Sequence, residues 1–231
     1  MTELREDVSV SARPASDRER EKRVAAEAAA ALVEDGVRVG LGSGSTVAYL
    51  LPALAARELS LRCVASSPAT EQAACELGLH VESFSGEGAP GRLDITIDGA
   101  DQVTPSGWLV KGGGGAHTRE KAVAAAAERF VVIVSSNKLV ERLTPPIPLE
   151  LLEFGLASTL ERLGSVRLRD VPRSPDGGVI ADYTAEFDDP AALVEQLSST
   201  IGVVEHGLFP PDLVSDVVVA HGEVIEHRRF R

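Results

Sequence analysis

A lysine followed by four glycines, Lys111 to Gly115, is the stretch of this chain best suited to chemistry. A glycine run carries no Cβ, so its backbone N–H groups can close on an anion. Four glycines in a row also carry a large ordering cost with no packing return, which favours a functional reason for them. Upstream lies Asp98-Gly99-Ala100-Asp101, at the end of an apolar run. Turn and capping chemistry is the usual use of such aspartates. A pair this close can also push one pKa upward and set an acid beside a base. Downstream, Glu120 falls in the first turn of an alanine-rich helix. Its residue type suits a helix-dipole partner and a general base equally, because the dipole keeps it ionised. Together these groups suit a small, negatively charged, oxygen-rich substrate.

Two further segments fit that chemistry. Gly40 to Thr46 reads GLGSGST, after an apolar strand and before a helix. It matches neither G-x-G-x-x-G nor a Walker A loop. Its N–H groups and the hydroxyls of Ser43, Ser45 and Thr46, with Gly44 between, still form an anion site at a helix N-terminus. Lys138 follows another apolar strand. Its type alone reads as surface charge. No His sits at metal-ligand spacing from Cys, Asp or Glu. His80 and His227 read as surface, and His117 lies in the glycine loop, where it can touch a ligand. There is no G-x-S-x-G elbow, which disfavours a serine hydrolase.

The elements that must position these groups follow from periodicity. Helices are expected over Ser16 to Glu34, opened by a capping box and stopped by Gly36, and over Val47 to Arg57, interrupted by Pro52. Strands are expected at Val37 to Leu41, Leu61 to Ala65, Leu79 to Phe84, Leu93 to Ile97 and Phe130 to Val134. Further helices are expected over Thr70 to Leu77 and Thr118 to Glu128. This alternation predicts a parallel, doubly wound α/β sheet. After Leu143 the pattern changes. Thr144 to Pro148 reads as a rigid linker, followed by helices at Leu152 to Leu163 and Pro190 to Leu197. Strands are expected at Val166 to Arg169, Val179 to Tyr183 and Ile201 to Leu208. Val214 to Ala220 and Val224 to His227 form a closing hairpin. The organisation expected is a tail over 1–14, a main domain over 15–143 plus 211–231, and a smaller α+β domain over 144–210.

The totals narrow the class. The chain has 231 residues, and 44% apolar residues supply a sizeable core. A net charge of −12 argues against a nucleic-acid surface and makes anion binding a local matter. There is no 18-residue apolar run for a membrane span and no apolar h-region for a signal peptide. Cys63 and Cys75 read as free thiols.

The strings GLGSGST (40–46), DITIDGADQV (94–103), LVKGGGGAHTREK (109–121), FVVIVSSNKLV (130–140) and VVEHGLF (203–209) together resemble the type A ribose-5-phosphate isomerase family. The resemblance spans about residues 20 to 228. It implies a Rossmann-like sheet with a smaller α+β domain inserted before the last strands. The implied reaction interconverts ribose 5-phosphate and ribulose 5-phosphate without metal or organic cofactor, in the cytoplasm, in a homodimer or tetramer. Glu120 resembles the general base of an enediolate mechanism. Asp98, Asp101 and Lys111 resemble the residues handling hydroxyl protons, ring opening and the oxyanion. Ser43 to Thr46, Asp98 to Asp101, Lys111 to Gly114 and Lys138 resemble substrate contacts. Three positions depart from the pattern: Ser43 replaces a commoner Thr, Gln102 stands where an acidic residue often follows, and His117 where an apolar one is common. The alternatives are a non-catalytic sugar-phosphate sensor, and acyl-CoA transfer on a related fold through a glutamyl thioester.

Overall fold

The computed structural model describes residues 15–230, so the tail expected over 1–14 lies outside the described residues. Its centre is a six-stranded sheet. The strands are β1 (Arg38–Leu41), β2 (Arg62–Ala65), β3 (Leu93–Gly99), β6 (Ala127–Ser135), β12 (Asp216–His221) and β13 (Val224–Arg229). They lie in the order β13-β12-β6-β3-β1-β2. The five from β12 to β2 are parallel, and β13 pairs with β12 antiparallel. The fold class is therefore the doubly wound α/β arrangement that the alternating pattern predicts.

Alternation along β6 explains why the sheet is covered on both faces. Val131 and Ile133 point to one side, into a core shared with helices α1 (Ala15–Ala30), α2 (Val47–Ala55) and α3 (Pro68–Glu76). Phe130, Val132 and Val134 point to the other, where Ala124 of helix α4 (His117–Ala125) and Phe209 pack. Strands buried on both faces read as continuous apolar runs. Alanine-rich α1 lies close against the first core, with Ala25, Ala26 and Ala29 fully buried.

Two smaller sheets complete the molecule. Strands β7 (Ile147–Leu151), β8 (Val166–Leu168), β9 (Val179–Tyr183) and β10 (Val203–His206) form an antiparallel sheet in the order β10-β7-β9-β8. Helices α5 (Leu156–Leu163) and α6 (Pro190–Ser199) supply Leu163, Leu193 and Leu197 to its core. The third sheet joins three two-residue strands, β4 (Gln102–Val103), β5 (Leu109–Val110) and β11 (Leu208–Phe209), with β5 in the middle.

Several expectations need correction. Leu79 to Phe84 forms no strand; Val81 makes a single bridge to Cys63. Ile147 and Pro148 belong to β7, so the expected linker is shorter and α5 begins at Leu156 rather than Leu152. The expected strand over Ile201 to Leu208 breaks at Gly207 into β10 and β11, which serve different sheets. Helix α1 already includes Ala15 and ends at Ala30, so Ser16 is not its cap. Gln102 turns its amide to the Thr144 backbone, where a carboxylate could not make both bonds.

Gly207 is the junction of the small sheets. Its carbonyl accepts the Lys111 N–H at 2.8 Å, and its own N–H donates to Pro148 O at 2.7 Å. A Cβ there would run into the Lys111 carbonyl and the Pro148 ring. Gly207→Ala is expected to cost roughly 1–3 kcal/mol in urea unfolding, as overpacking against fixed backbone does. Gly88→Ala, which meets open space, is expected to be neutral or stabilising by up to about 1 kcal/mol.

Candidate active site

Because β1, β3 and β6 run parallel, their carboxyl ends share one edge of the sheet, and three loops meet there. Chain order reverses between β1 and β3: β2 lies beyond β1 on one side, β6 beyond β3 on the other. A crevice is expected at such a switch point. A cavity of about 1020 Å³ opens there.

Three charged side chains meet at its base, Lys111 and Glu120 in the lining and Asp98 behind them. Asp98 is the penultimate residue of β3 and is 1% exposed. Its Oδ1 accepts the N–H groups of Ser43 at 3.0 Å and Gly99 at 2.7 Å. Its Oδ2 lies 2.8 Å from Lys111 Nζ. Gly42 has to be glycine, because a Cβ there would overlap the Asp98 carboxylate. Lys111 is 2% exposed. Its Nζ also donates to the Gly99 carbonyl at 2.5 Å and lies 3.3 Å from Glu120 Oε2. The Phe209 ring lies beneath it, 5.4 Å from Nζ to centroid. The remaining oxygen of Glu120, Oε1, accepts the Ser43 hydroxyl at 2.5 Å.

Two carboxylates and one ammonium, all out of water, leave the cluster one negative charge in excess. Burial therefore dominates at Asp98. Together with the nearby Glu120 charge it outweighs the Lys111 ion pair and pushes the carboxyl up to about 7. Burial opposes the charge on Lys111, but the two carboxylates win, and its ammonium is held above the usual lysine range. The site thus pairs a firmly cationic donor with a carboxyl whose hold on its proton is strengthened by burial.

The other expected residues ring the cavity. Ser43, Gly44, Ser45 and Thr46 line it ahead of α2, with Gly99, Ala100, Gly112, Gly113, Gly114 and Lys138 around it. Asp98 alone among the expected substrate contacts lies behind the lining, screened by Ser43 and Lys111. Asp101 is not part of the buried cluster. It sits half exposed at the rim, accepting the Gly113 N–H at 2.9 Å, 3.8 Å from Lys138 Nζ. Gly112 has φ +97, and the His117 ring fills the place its Cβ would need. His117 is fully buried beneath that loop rather than in the cavity, which corrects its reading as a ligand contact. Burial pushes its imidazole down. His227 is exposed, as its surface reading expects, and its Nε2 lies 2.6 Å from buried Asp216.

Arg18 and Lys22 from α1 and Arg169 and Asp182 from the four-stranded sheet also line the cavity. Sequence reading passed over all four. The i, i+4 spacing of Arg18 and Lys22 on one helix face was the one available signal. Both cysteines are free; burial pushes the Cys63 thiol up to about 12. Among the described residues, no group of three or more His, Cys, Asp or Glu side chains could hold a metal ion. Nor is any helix among them long and apolar enough to cross a membrane.

Residues 62–223 match the family model for ribose 5-phosphate isomerase A (phosphoriboisomerase A). The ribose-5-phosphate isomerase A of Caulobacter sp. (strain K31) is 43% identical over 204 residues, covering 82% of this chain and 89% of that one. The crystal structure of ribose 5-phosphate isomerase A from Neisseria gonorrhoeae superposes with a TM-score of 0.87 at 29% identity, covering 93% of this chain and 98% of that one. A solved D-ribose-5-phosphate isomerase in complex with phospho-erythronic acid gives a TM-score of 0.84 at 30% identity, covering 92% and 99%.

The Asp98 environment has a measurable consequence. A carboxyl whose folded pKa is raised to about 7 binds a proton more tightly folded than unfolded, where its pKa is about 4. Its stabilising contribution is therefore complete below about pH 4 and is lost as pH rises through about 7. The stability of the wild type relative to Asp98→Asn is expected to fall from pH 4 to pH 8 in urea titrations. A difference that is flat or grows with pH would contradict the assignment.

Proposed function

The chain belongs to the ribose 5-phosphate isomerase A family, and we propose how its cavity carries out the reaction. The protein is an aldose–ketose isomerase that interconverts ribose 5-phosphate and ribulose 5-phosphate. The observation that carries the site assignment is the single cluster of Asp98, Lys111 and Glu120 on the cavity floor, with Glu120 and Lys111 both in the lining.

In this reading Glu120 takes the proton from C2 of the open aldose. The C2–H electron pair forms the C1–C2 double bond of an enediolate, and the carbonyl pair moves onto O1. The same carboxyl then returns its proton to C1, while the proton on O2 passes to O1, leaving O2 as the ketone and O1 as the C1 hydroxyl. One carboxylate serves both transfers when both carbons lie within reach. Lys111 and the glycine-loop amides hold the transient oxyanion, the largest electrostatic demand of such a step. Asp98 fixes Lys111, and its pKa near 7 lets it take up and release a proton. Ser43 orients Glu120 through its hydroxyl. Asp101, at the rim, is placed to move hydroxyl protons during ring opening. This chemistry calls on no metal and no redox carrier.

The phosphate is assigned to the loop 43–46 and the N-terminus of α2, with Lys22 and Lys138 as cations. Net charge −12 repels a sugar phosphate at long range. Six lining cations, Arg18, Lys22, Lys111, Lys138, Arg169 and Arg173, outnumber the four lining carboxylates Glu19, Asp101, Glu120 and Asp182, which favours an anion locally. Retention of the whole cluster supports catalysis over the sensor reading. Family membership further supports a cytoplasmic homodimer in the non-oxidative pentose phosphate route. It also supports a division into residues 15–143 plus 211–231 and an inserted 144–210.

Glu120→Gln is expected to lower kcat for ketose formation from ribose 5-phosphate by about 10²–10⁴-fold. Binding of the sugar phosphate, followed by calorimetry, is expected to persist. Turnover near that of the wild type would remove Glu120 as the base.

A further inference from the structure

Arg169 follows β8 and reaches into the site from the four-stranded sheet. Its guanidinium makes two sets of bonds. Nε and Nη2 donate to Asp182 Oδ1 at 3.0 and 2.6 Å. Nη1 donates to the carbonyls of Gly112 and Gly113, each at 3.0 Å. The pair is shielded, with side chains 17% and 5% exposed. The rigid fork of arginine suits this double duty, since one plane fixes all the donors at once.

The consequence lies on the opposite side of the same peptides. A trans peptide points its C=O and N–H in opposite directions. The Gly112 carbonyl turned to Arg169 thus sends the Gly113 N–H to Asp101 Oδ2 at 2.9 Å. The Gly113 carbonyl turned to Arg169 likewise sends the Gly114 N–H away from the guanidinium. Gly114 lines the cavity, and among the described residues no protein acceptor takes its N–H. A cation on the carbonyl end also polarises the peptide and strengthens its N–H as a donor. Within the loop the Gly115 N–H closes a turn onto the Gly112 carbonyl at 3.0 Å and Asp101 takes the Gly113 N–H, while the Gly113 carbonyl, whose peptide carries the Gly114 N–H, is held by Arg169.

We propose that Arg169, itself anchored by Asp182, is a positioning residue that aims the glycine-loop amides, Gly114 N–H above all, at the oxyanion of the enediolate. This rests on the isomerase reading of the site. Arg169 does not touch the reacting atoms; it acts through the backbone of residues 112–114.

The test compares wild type with Arg169→Met, Arg169→Lys and Asp182→Asn. Ketose formation from ribose 5-phosphate is measured, together with competition by two probes. Phospho-erythronic acid carries a planar carboxylate where the enediolate oxygens would lie; inorganic phosphate reports only the anion end. For Arg169→Met the expected result is a kcat lowered roughly 10- to 100-fold with KM changed less than about threefold. The inhibition constant for phospho-erythronic acid should weaken by a similar factor, and that for phosphate should stay within about twofold. Arg169→Lys keeps the charge but loses the fork, and is expected to recover only part of kcat. Should Arg169→Met fail to fold, Asp182→Asn carries the test, with kcat down at least about threefold and phosphate inhibition unchanged. A kcat within about twofold of wild type in the folded variants would overturn the proposal. So would equal weakening of both probes, which marks general distortion. Failure of the wild type to form ketose would instead overturn the isomerase reading, and the ratio of the two inhibitor affinities, measured by calorimetry, would still decide the role of Arg169.

Discussion

Burying two carboxylates around one ammonium is the constraint that the rest of this structure serves. Taking an ion out of water costs several kcal/mol even after relaxation, and attraction repays it only with good geometry and further hydrogen bonds. Here the repayment is visible bond by bond. Asp98 collects two backbone N–H groups and Lys111. Lys111 collects a backbone carbonyl and two carboxylates. Glu120 collects the Ser43 hydroxyl. These partners are drawn from β3, α4 and the loops that follow β1 and β5, so the cluster exists only when all four elements are in place. Burial first, and the neighbouring Glu120 charge after it, outweigh the Lys111 ion pair and raise the Asp98 pKa.

The glycines show how tightly backbone and charge are fitted. Gly42 yields its side-chain volume to the Asp98 carboxylate, Gly112 to the His117 ring and Gly207 to the Lys111 carbonyl. Each lets a polar group approach where any Cβ would exclude it. The two-residue strands β4, β5 and β11 add little core, yet they fix the backbone on either side of Lys111. Asp101 N–H bonds Val110 O at 2.7 Å and Lys111 N–H bonds Gly207 O at 2.8 Å.

How much of this the sequence disclosed follows from physical range. Parallel strands buried on both faces announce themselves as apolar runs, so β1, β3, β6 and β12 were legible, and with them the sheet. Residues whose chemistry depends on a local string, such as Asp98, Lys111 and Glu120, were legible too. Strands of two residues carry no period to detect. Strand β7 was hidden because Ile147-Pro148 closes a proline cluster that reads as linker, although β7 lies inside its sheet. Arg169 and Lys22 have the types and neighbours of ordinary surface charges. Only the fold, which brings residue 169 beside residues 112 and 113, reveals what they face.

That last contact says something about why a small antiparallel sheet is joined to a doubly wound one. A switch-point crevice supplies loops and helix N-termini but leaves its glycine loop with few constraints of its own. The second sheet supplies them from outside. Arg169 takes two loop carbonyls, Gly207 takes the lysine backbone, and Glu150 of β7 accepts the Thr118 hydroxyl in the first turn of α4. Glu150 is 2% exposed and also accepts the Ser174 hydroxyl, so the helix that carries Glu120 is tied at its start to the β8–β9 connection. Preorganisation of amides and charges is what electrostatic stabilisation of a transient oxyanion requires, since dipoles already aimed need no rearrangement at the moment of reaction. In this molecule the parallel sheet brings Asp98, Lys111 and Glu120 together, and the antiparallel sheet bonds the backbone and the helix start that flank them.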